Sequence, residues 1–146
     1  MKTSYKVVAV ATPFAIAAFI LGRVIWPAPA GVAGPSASLL PHFLFISALE
    51  AIAFGVGISF AFFGWRDFRS QITADRLSLA TFIAVTWSLI SWWPHDNMHR
   101  VNGMENYTGL IRIEYLFHFT LIVGGFVTAL YFVRQLVRVS VSGGND

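Results

Sequence analysis

The sequence contains no cysteine. That excludes disulfides, thiolate metal sites and thiol redox chemistry, and it removes the usual guide to compartment. Charge is the second shortage. Ten Lys or Arg and seven Asp or Glu make up 12% of the 146 residues, against about 25% in an ordinary soluble domain. So few charges cannot wet the surface of a small globule, and a chain this apolar is not disordered. The basic residues are scattered rather than clustered, so the net charge of +3 describes no nucleic-acid surface. No internal repeat, heptad run or low-complexity block is present.

What the sequence has in abundance is apolar length. Hydrophobic residues are 56% of the chain and the mean hydropathy is +0.67. Four apolar runs stand out: 5–25, 39–65, 77–93 and 110–133. Each is about long enough to cross a ~30 Å hydrocarbon layer at 1.5 Å per residue. Lys2 and Lys6 ahead of the first run, with Ala28-Pro29-Ala30 after it, also describe a secretory signal; we read the run as a membrane-spanning helix. The expected fold is an all-α integral membrane four-helix bundle, one transmembrane domain over residues 1–146, multi-pass in the plasma (inner) membrane.

Orientation follows from the basic residues in the connections. Lys2, Lys6, Arg66, Arg69, Arg76, Arg134 and Arg138 fall on one side, and Arg23, Arg100 and Arg112 on the other. Both termini are therefore expected in the cytoplasm, with the 24–38 and 94–109 connections outside. Trp26, Trp65, Trp92 and Trp93 sit at span ends, where amphipathic rings favour the headgroup region. The 94–109 connection reads as a polar loop that includes Asn97.

Against this apolar background the ionisable residues carry the information, because a charged group at the centre of a membrane helix costs about 2.5–3.5 kcal/mol on insertion scales. They are His42, Glu50, His95, Asp96, His99, Glu114 and His118. All four histidines map to the outer leaflet or just above it. Glu114 and His118 lie about 40° apart on one helix face. His95 and His99 share the same four-residue spacing, although Pro94 removes an amide donor, so 95–99 reads either as loop or as a further helical turn. Thr81, Ser88 and His95 recur every seventh residue, with Ser91 alongside, and His42 and Glu50 fit one broad face of the second helix. Three helices can thus each turn a polar stripe toward a shared point. Gly55, Gly57, Gly124 and Gly125 read as sites of close helix approach, and the Phe-rich stretches, Phe117 included, as lipid-facing or core.

Imidazoles with carboxylates suit zinc, copper(II), manganese or non-haem iron. The expected centre is an outward-facing transition-metal site between the second, third and fourth helices. Its ligands are drawn from His42, His95, His99, Glu114 and His118, with Asp96 orienting an imidazole and Glu50 beneath as acceptor or proton carrier. Other readings fit the same residues. One is haem b held by His42 or His95 against His118. Another is acid–base chemistry of Glu50 with His118 on a lipid or quinone. A third is an accessory subunit whose polar face meets a larger respiratory or oxidase-type complex. Whether the protein is an enzyme is left open by the sequence.

Overall fold

The computed structural model describes residues 3–28, 30, 31, 33–65, 69, 75–102 and 107–142. Among them are four long helices and no strand. Helix α1 spans Thr3–Ile25, α2 Leu40–Ser59, α3 Arg76–Asn102 and α4 Tyr107–Ser142. A π-helical turn, Phe60–Gly64, continues α2 without a break. All four are long and apolar enough to cross a membrane. Large apolar side chains stand exposed along every helix, among them Val8, Ile52, Ile83, Tyr115 and Phe126. A water-soluble monomer does not present apolar surface on this scale, whereas in a bilayer it faces lipid tails. The chain is an integral membrane protein.

Two helices run past the expected ends. The third span was expected to end at Trp93, yet α3 continues through Pro94 to Asn102, and α4 extends on both sides of 110–133. A proline inside a membrane helix is tolerated where neighbouring groups take up the loosened backbone. The carbonyl that Pro94 leaves without its amide is that of Ile90; on either side of it Ser91 Oγ donates to Trp87 O at 2.6 Å and Asn97 Nδ2 to Trp93 O at 2.7 Å, each to the carbonyl four residues back. The segment 95–99 is helical, and Asn97, expected in a polar loop, is fully buried.

The helices pack in chain order, α1 on α2, α2 on α3 and α3 on α4. Small residues let the first two contacts close. A Cβ on Gly55 would run into the Ala11 carbonyl oxygen of α1, and one on Gly57 would come within 2.8 Å of Leu89 and Ile90 of α3. Without a hydrophobic driving force between helices in lipid, such close backbone approach is what holds them together. Ser59 Oγ adds a hydrogen bond to Val7 O at 3.0 Å across α1 and α2. Gly124 sits against Ala84, in the α3–α4 seam, while Gly125 faces open space.

The α3–α4 pair is antiparallel and fixed at three levels. At one end Asp75 caps α3, accepting from Leu77 N at 3.1 Å and Ser78 Oγ at 2.8 Å, and it pairs with Arg134 of α4. Midway, Trp87 Nε1 donates to Thr120 Oγ1 at 2.9 Å. At the other end lies the cluster described next.

Candidate metal centre

One helical turn of α3 and one of α4 build the cluster. The i, i+4 spacing stacks His95 above His99 on one helix, and Glu114 above His118 on its antiparallel neighbour. Their polar atoms converge. Glu114 Oε1 lies 3.0 Å from His95 Nε2 and in contact with His99 Nε2. The two imidazole Nε2 atoms are 3.2 Å apart. One ligand atom from each of His95, His99 and Glu114 thus falls within a single small volume. The other carboxylate oxygen, Oε2, is 2.9 Å from His118 Nδ1, which also lies 3.0 Å from the Glu114 carbonyl oxygen. Two acceptors face Nδ1, which donates to them.

The cluster grades from inside to outside. The His95 side chain is 11% exposed, Glu114 28%, His99 35% and His118 57%. His95 is the most constrained, because its ring stacks on Phe117 with centroids 3.6 Å apart and planes 12° from parallel. Phe117 is itself buried. The sequence offered no signal for this contact beyond the position of Phe117 beside His118, which reads equally well as lipid-facing.

The electrostatics of this convergence are specific. Two imidazole nitrogens and a carboxylate oxygen turned toward one point repel one another through their lone pairs, unless protons or a cation lie between them. Ligand atoms about 2.0–2.1 Å from a metal ion stand about 2.9–3.4 Å from each other in tetrahedral or octahedral arrangements. Two of the three edges, His95 to Glu114 at 3.0 Å and His95 to His99 at 3.2 Å, fall in that range, while His99 and Glu114 stand closer than such an edge.

The remaining expected site residues lie elsewhere. His42, on the first turn of α2, is exposed and does not belong to the group. Glu50 is fully buried and lines a separate cavity between α1, α2 and α3, with Ala18, Gly22, Trp93 and Asn97. It is not one of the three residues of the group. Asp96 follows His95 in α3 and is half-buried. The expected convergence of three helices is thus made by two among the described residues, α3 and α4. Most of the polar stripe on α3 is absorbed locally: Thr81, Ser88 and Ser91 each donate to the carbonyl four residues back, at 2.8, 2.8 and 2.6 Å, a bond that satisfies a hydroxyl in an apolar setting.

Beside the cluster, His95 also lines a cavity of about 220 Å³ with Trp87, Ser91, Pro94, Met98 and Leu116. Trp87 and Leu116 are shared with a larger apolar trough of about 550 Å³ that follows the α3–α4 seam past Thr120 and Gly124. No family model, curated protein or solved structure matches this chain.

Proposed function

We propose that the protein is a membrane metalloprotein that holds one transition-metal ion, zinc, copper(II) or iron, between α3 and α4. His95 and His99 supply Nε2 and Glu114 supplies a carboxylate oxygen. The observation that carries this reading is the meeting of those three atoms at one point, in a chain that has only four histidines. Two imidazoles and one carboxylate form a donor set used both for catalytic zinc and for non-haem iron. Three protein ligands leave a position for water or for a substrate group. An ion positioned there would lower the pKa of bound water or polarise a bound carbonyl. The apolar trough ending beside His95 supports a lipophilic substrate that approaches from the bilayer rather than from water.

The geometry favours an ion over haem. His95 and His118 both turn toward the Glu114 carboxylate, and Phe117 covers one face of the His95 ring. A macrocycle between two axial imidazoles needs that space open.

Metal analysis of protein purified in mild detergent without chelators tests the proposal. About one equivalent of a transition metal is expected, falling to less than about a tenth in His95→Ala and Glu114→Ala. A wild-type protein that stays metal-free after loading with zinc, copper(II) and iron(II) overturns it.

A further inference from the structure

Glu50 is the largest fully buried side chain, and the metal centre does not use it. It lines a cavity of about 120 Å³ together with Gly22, Arg23, Ser47, Trp93 and Asn97. That is room for several waters, each of which takes about 30 Å³ in the liquid. The lining runs from exposed Arg23 near the end of α1 to Glu50 and Asn97, both fully buried. Glu50 is ten residues into α2, about 15 Å along the helix axis, so the carboxyl sits deep while the mouth is at the end of the bundle that carries the His/Glu cluster. A Cβ at Gly22 would stand in ordinary contact with Asn97 Oδ1 at 3.4 Å and Trp93 Nε1 at 3.6 Å, so the bare glycine leaves that volume to the cavity. Asn97 Nδ2 donates to the Trp93 carbonyl at 2.7 Å, and its Oδ1 lies on the Gly22 side. Of the residues lining the cavity, the charged or titratable ones are Glu50 from α2 and Arg23 from α1; α3 contributes the neutral Trp93 and Asn97.

We propose that this cavity is a hydrated inlet through which Glu50 takes up and releases a proton, a second site separate from the metal cluster. A carboxyl this far into an apolar bundle is costly to keep without a role. Waters bridging from Ser47 and Asn97 to the mouth would carry the proton, and the Arg23 guanidinium at the rim admits protons through water while discouraging other cations. The proposal does not rest on a bound metal, because the cavity lies on the opposite face of α3. Two residues of a helix are about 200° apart, so Trp93 and Asn97 face the cavity while His95 and His99 face α4.

The absence of cysteine makes the test clean. In liposomes, Ser47→Cys is expected to react with a water-soluble methanethiosulfonate anion about tenfold or more faster than Ile46→Cys or Leu49→Cys, whose positions are exposed on the lipid side of the same turns. Adding Gly22→Leu to Ser47→Cys should remove that advantage. In the unaltered protein, dicyclohexylcarbodiimide, which attacks the protonated carboxyl, should label Glu50 at about pH 5 and fall about tenfold per pH unit above its midpoint. Glu50→Gln provides the blank. Equal reactivity at positions 46, 47 and 49, or labelling of Glu50 that does not change between about pH 5 and about pH 9, overturns the inlet.

Discussion

Glu114 decides the chemistry of the cluster because both of its oxygens are engaged by imidazoles. Oε1 serves His95 and His99; Oε2 is held by His118. Since His118 presents its Nδ1 to the carboxylate, it acts on a bound ion through the orientation of Glu114. Partners of this kind typically change metal affinity by about 10–100-fold when removed. His118→Gln is therefore expected to weaken metal binding by about that factor while retaining one equivalent at saturation, as a competitive chelator titration would measure. Loss of the full equivalent would instead make His118 a direct ligand. The pairing of Glu114 with His118 was legible in the sequence, because four-residue spacing on a helix fixes two side chains on one face whatever surrounds them. The place of Glu50 was not. Angular position says that His42 and Glu50 share a broad face of α2, but not whether that face meets α1, α3 or α4, and the packing contacts at Gly55 and Gly57 settle it.

At the scale of elements, the site depends on the register of α3 against α4, and that register is set partly at the far end by Asp75 and Arg134. The Arg134 guanidinium, hydrogen-bonded to Asp75, and then the Ser78 hydroxyl hold the Asp75 carboxyl well below the usual carboxylate range. A carboxyl whose folded-state pKa is depressed adds stability that is present above its unfolded value of about 3.9 and lost as pH falls below it toward the folded value. The thermal midpoint of wild type in detergent should accordingly exceed that of Asp75→Asn at neutral pH. The difference should shrink as pH is lowered from about 5. A difference that stays constant across that window would mean the pair contributes nothing through charge. Asn caps a helix about as well as Asp, so the comparison isolates the ion pair from the cap. This tie lies in the sequence only as an isolated aspartate ahead of an apolar run and an arginine 59 positions later, and no spacing rule connects residues that far apart. The ends of α3 and α4 are illegible for a related reason. Pro94 argues for a stop on local grounds, yet membrane helices tolerate proline where neighbouring helices pack against it, and α3 continues through it to Asn102.

For the molecule as a whole, the arrangement places both candidate sites at one end of the bundle and on opposite faces of α3, near the 26–39 connection. Four spans put the two termini together at the other end. Which end faces the cytoplasm is a matter of charge. Seven Lys or Arg accompany the termini and the 66–76 connection, and three accompany the opposite connections. That excess is the kind that fixes orientation during insertion, and it predicts that the cluster and the inlet both open away from the cytoplasm. Ser36 is exposed in the 26–39 connection, so Ser36→Cys should take up a membrane-impermeant maleimide in intact cells. A C-terminal epitope tag should be reached only after permeabilisation. The reverse pattern would place both sites on the cytoplasmic face, where the metal would be drawn from the cytosolic pool and the Glu50 inlet would follow cytosolic pH. The geometry of the two sites would survive that reversal, because it depends on helix packing; what they sense would not.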